Sequence, residues 1–141
     1  IRKIGMSRSP AEKLNPRIAL LSGAPSRVRI EIVLEPFLLS RALVNTSLTL
    51  DDVPLPSLYL KDLVGQTFRF PTNPEEGFID SSVCIESVHH PVDVTELAFH
   101  ASRGNGASLV LKGAINFDFE GPAEWGKFPF VFGMRAATLV V

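Results

Sequence analysis

Residues 77–120 read GFIDSSVCIESVHHPVDVTELAFHASRGNGASLVLKGAINFDFE, a run of β-type segments with hardly a helical interruption. Its last third alternates. Leu109, Leu111, Ile115, Phe117 and Phe119 fall on one face and Lys112, Asn116, Asp118 and Glu120 on the other, the period of two that a half-buried strand requires. Leu97 and Phe99 match that apolar face from the preceding segment. Gly104-Asn105-Gly106 between them accept the positive φ of a tight hairpin. The reading is three strands over 78–88, 92–102 and 108–120, folded back at His90-Pro91 and at Arg103-Gly104-Asn105-Gly106. Such neighbours pair up and down as an antiparallel meander.

The rest of the chain extends the same class. Residues 27–34 place Arg27, Arg29 and Glu31 against Val28, Ile30, Ile32 and Leu34, a strand with one wet and one buried face. Residues 17–22 form a short apolar segment ahead of a turn at 23–26. Residues 37–44 do not alternate and follow Pro36, which suits a first helical position, so a short helix is expected there. Asp51-Asp52 reads as the turn of a hairpin over 47–56. Ser57 caps a short turn closed by Gly65, and 66–70 is a strand. Ser9-Pro10-Ala11-Glu12 has the form of a helix start that Pro16 stops early. Residues 1–16 are read as a flexible or short helical tail, 121–127 as a loop carrying the only Trp, and 128–141 as a final strand whose Phe128, Phe130, Phe132 and Met134 share a face. Ten Phe against one Tyr point to a core of unsubstituted rings. The expected architecture is one mainly β domain over 1–141, an antiparallel sandwich or flattened barrel with one to three short helices in the N-terminal half.

Composition excludes some functions. The 141 residues carry 45% hydrophobic and 21% charged side chains and a formal net charge of −1, too apolar for disorder and without the basic excess of a nucleic-acid binder. No apolar run reaches the roughly 20 residues of a membrane-spanning helix. The one cysteine, Cys84, allows no intrachain disulfide and reads as a buried, inert thiol. With no apolar leader segment at its start, the chain reads as cytoplasmic, although a leader already removed leaves the same sequence.

His89-His90-Pro91-Val92-Asp93, with His100 further on, is the group most suggestive of chemistry. Adjacent strand residues point to opposite faces, so His89 and His90 do not converge on one ion, and no HxH, HxxxH or Cys/His spacing supports a metal site. No metal and no cofactor is expected. A hydrolase built on His90 and His100, oriented by Asp93 or Asp80, is chemically conceivable, but no nucleophile motif accompanies it. Glu75-Glu76 and Asp51-Asp52 read as solvated turn acids rather than a glycosidase pair. The leading expectation is a non-catalytic domain presenting loops or a sheet edge to a protein partner or to a second copy as a homodimer. Its binding residues are Asn73, Glu75, Glu76, His90, Asp93 and Trp125, all expected to be exposed. The alternatives are a carrier of a small apolar ligand inside a Phe-lined barrel and the hydrolase.

Overall fold

A computed structural model describes residues 10–117 and 126–139. After a 3-10 turn at Pro10–Lys13 come ten strands and one short helix: β1 (Pro16–Ala24), β2 (Arg27–Leu34), β3 (Phe37–Leu39), β4 (Ala42–Val44), β5 (Ser47–Val53), α1 (Leu60–Leu63), β6 (Thr67–Arg69), β7 (Asp80–Ile85), β8 (Val88–Ala101), β9 (Ala107–Asn116) and β10 (Lys127–Thr138). Seven strands close a barrel in the order β8-β7-β5-β2-β1-β10-β9, with β9 returning to β8. A closed barrel, not a sandwich, is the form taken. The expected meander from residue 77 onward is present as β7, β8, β9 and β10, each antiparallel to the next. Closure departs from an all-antiparallel scheme: β1 runs parallel to β10, from Ile18 opposite Arg135 to Leu21 opposite Thr138. Among the described residues no helix is long and apolar enough to cross a membrane.

Alternation decides what points inward. β2 buries Val28, Ile30, Ile32 and Leu34 and exposes Arg27 and Arg29; β9 buries Leu109, Leu111 and Ile115, and Phe117 beyond it. Each such side chain withdrawn from water stabilises the fold by about 1.5–3 kcal/mol. Phe130, Phe132 and Met134 line the same interior from β10, with the Phe130 and Phe132 rings 4.3 Å apart. At one point the parity of β8 switches. Its register against β9 shifts between Val94 and Glu96, the signature of a bulge. Hence His90, Val92 and Val94 face in before it, and Leu97 and Phe99 after it.

Four expectations are corrected. Residues 37–44 are not a helix but a hairpin, β3 against β4, turned by Ser40 and Arg41 at φ 50° and 71°. Its Phe37, Leu39 and Val44 are buried while Leu38 and Leu43 stand out in water, so both faces are apolar and no alternation is visible. Asp51-Asp52 is not a hairpin turn. β5 runs through it, and the register with β2 slips between Val28 and Ile30. Asp52 takes φ 51°, a left-handed conformation Asp tolerates, here inside a bulge. The chain does not fold back at His90-Pro91, which lies within β8; the turn is at Glu86-Ser87, with φ 52° and 67°. Cys84 is half-buried on the outer wall rather than inside, because Val83 and Ile85 take the inner positions.

Candidate functional site

The edge of β8 that faces β7 and β6 is shared between them. β7 pairs with Val88 to Pro91 and β6 with Glu96 to Ala98. Between those stretches this edge of β8 meets no strand among the described residues, and the connection from β6 to β7, residues 70–79, crosses in front of the gap. Two hydrogen bonds hold it there: Phe70 N donates to Thr95 O at 3.0 Å, and Asn73 N donates to Asp93 Oδ1 at 3.4 Å. Two successive turns shape the rest of it, Glu75 N donating to Thr72 O and Phe78 N to Glu75 O. Ser81, at the start of β7, is buried and donates from Oγ to Val92 O at 2.5 Å.

The result is an open cleft of about 370 Å³ on the outer wall, lined by Asn73, Phe78, Ile79, Asp80, Ser81, Ser82, His89, Pro91, Val92 and Asp93. A second hollow of about 330 Å³ adjoins it across Asn73, Pro91 and Asp93 and adds Pro74, Asn116 and Lys127. Strand parity accounts for the lining: Asp80 and Ser82 on β7 and His89, Pro91 and Asp93 on β8 are the outward positions of neighbouring strands. The cleft offers carboxylates, amides, an imidazole and one exposed aromatic ring, groups that bind by hydrogen bonding, charge and stacking.

Of the residues singled out from sequence, the fold brings Asn73 and Asp93 together across this lip. Glu75 and Glu76 are exposed on the same connection but do not line the cleft. His90, expected at the surface, is 2% exposed. It points into the barrel, where its ring meets Phe117 edge-on at 4.8 Å. His100 is exposed near the far end of β8, and seven strand steps separate it from Asp93 by about 20 Å. His90 inside, Asp93 outside and His100 at the other end do not assemble into the acid–base group considered above. Trp125 lies outside the described residues. His89 is exposed and His90 buried, so the two diverge. Among the described residues no cluster of three His, Cys, Asp or Glu is placed to hold a metal ion.

Phe78, Asp80, His89 and Lys127 were not recognised as neighbours of Asn73 and Asp93. For Asp80 and His89 the signal is parity: once the β7–β8 turn is set at Glu86-Ser87, even positions of β7 and the odd positions of β8 up to Asp93 share the outer wall. No protein-family model, no curated protein and no solved structure matches this chain.

Proposed function

We propose that this barrel is a non-catalytic binding domain that presents the cleft beneath residues 70–79 to a protein partner. The observation that carries this reading is the Asn73–Asp93 hydrogen bond, which pins an exposed connection over the outer wall and creates a concave polar surface from residues twenty positions apart. Rigid strands supply one side of the cleft and a turn-stiffened loop the other, an arrangement suited to recognition. Inward side chains such as Leu21, Ile30, Leu50, Phe99 and Phe117 are fully buried within the barrel, which favours the outer wall over the carrier reading. The test is recovery of a partner from the native source by the tagged chain. The expected result is one protein recovered by wild type and by His100→Ala but lost with Asp93→Ala. Recovery that ignores Asp93→Ala, or no partner at all, removes the reading.

A second copy of the chain is the other form of the same proposal. Leu38 and Leu43, directly opposite each other on β3 and β4, are 61% and 65% exposed, and paired exposed leucines favour apolar contact. Light scattering across a concentration series tests it: a dimer that dissociates in Leu43→Asp supports self-association, and a monomer throughout removes it.

A further inference from the structure

Elsewhere on the barrel wall three strand acids stand beside cations, while Glu31 accepts from Ser47 Oγ at 2.8 Å. Asp51 faces Arg29 at 3.6 Å, Asp52 faces Arg27 at 3.3 Å, and Glu96 is held between Arg69 at 3.2 Å and Lys112 at 3.3 Å. Asp80 and Asp93 differ: among the described residues neither is in an ion pair. Asp80 lies opposite Asp51 on β5, and continuing the β7–β8 register beyond Ser82 opposite Pro91 brings it level with Asp93, a step that Ser81 Oγ also spans by donating to Val92 O. Like charges directly opposite in a sheet repel and cost stability. Both carboxylates line the 370 Å³ cleft, and Phe78, 40% exposed, stands in the same wall. An aromatic face beside two carboxylates complements a cation that is flat, multiply donating and weakly hydrated.

We infer that the cleft takes an arginine side chain of the partner, its guanidinium between Asp80 and Asp93 and its plane against Phe78. This inference rests on the partner-binding reading and names the chemistry of the anchor. Arginine fits better than lysine because its planar fork donates to two carboxylates at once, and it is among the residues that dominate interface energetics. Lys127 limits the site to one side. It lines the adjoining hollow beyond the Asn73–Asp93 lip, so the basic side chain enters on the Asp80 and Phe78 side.

The probe is a set of capped tripeptides, Gly-Arg-Gly with its Lys, Glu and norleucine counterparts, titrated into the isotope-labelled protein and followed by amide chemical shifts. The Arg peptide is expected to move the amides of Phe78, Asp80 and Asp93 saturably and more tightly than the Lys peptide, with the Glu and norleucine peptides silent. The double variant Asp80→Asn, Asp93→Asn is expected to weaken binding by about tenfold while melting no lower than wild type, because Asn retains an oxygen to accept from Asn73 N and the repulsion is gone. No saturable shift, equal response to norleucine, or binding unchanged in the double variant overturns the inference. Partner recovery that depends on Asp93 without any Arg-peptide binding also overturns it, yet leaves the partner-binding reading standing.

Discussion

Gly113 gives the sharpest check on the architecture around the cleft. It lies on β9 opposite Val94, where the β8 bulge begins. A Cβ added there would meet the Asp93 carbonyl oxygen at under 3.0 Å and would stand 3.2 Å from both Asp93 C and Val94 Cα. All three obstacles are backbone, so no side chain can swing away. Restoring ordinary contact means parting the two strands by on the order of 1 Å, and forced backbone shifts of this kind cost about 1–3 kcal/mol. Propensity alone argues the reverse sign, since Gly within a strand is about 0.5–1 kcal/mol worse than Ala. Gly113→Ala should therefore lower Tm by about 3–5 °C per kcal/mol lost for a chain of this size. The urea midpoint should fall by about 0.5–2 M. The Asp93 amide resonance should move, because the clash acts on that peptide. A Gly113→Ala variant as stable as wild type, with Asp93 undisturbed, would refute the close approach of β8 and β9.

Three other outcomes follow from the packing of the barrel. Gly133, on the outer face of β10, has no atom within 4 Å of an added Cβ, so Gly133→Ala should be neutral or stabilising by up to about 1 kcal/mol, read by the same melts. Phe99 is fully buried and meets Phe68 edge-on at 6.1 Å; Phe99→Ala should cost about 3–5 kcal/mol, and a loss below 1 kcal/mol in denaturant titration would place it outside the core. Glu96→Gln breaks contacts to Arg69 and Lys112, both half or more exposed, so the loss should stay near or below about 1 kcal/mol and shrink as salt rises.

The fold was legible wherever one face of a strand is wet. Residues 27–34 and the inward set Leu109, Leu111, Ile115 and Phe117 were read from alternation, and the hairpin at Gly104-Asn105-Gly106 from turn chemistry; Gly104 has φ 68°. The failures have physical causes. The β3–β4 hairpin has three residues a side, too few for a period, and exposed leucines on its outer face. Its turn uses Ser40 and Arg41 where sequence reasoning looks for Gly or Asn. Asp51-Asp52 reads as a hairpin turn because Asp accepts left-handed geometry, but one left-handed residue makes a bulge as readily as a turn. His90-Pro91 looked like a breaker. Proline is tolerated there near the point where β8 loses β7 as its neighbour, and Glu86-Ser87 turns the chain without a single glycine or proline. That error hid the cleft: placing the turn four residues late assigned His90 to the surface and gave Asp93 no neighbours on β7.

The proposed outer-wall cleft presupposes a barrel closed between β1 and β10. Through-space proton contacts across that seam are the most direct measurement. The account predicts backbone contacts joining Ile18 to Arg135 and Leu21 to Thr138, both advancing in the same chain direction. Contacts of opposite sense would contradict the parallel seam, and none between these segments would contradict a closed barrel.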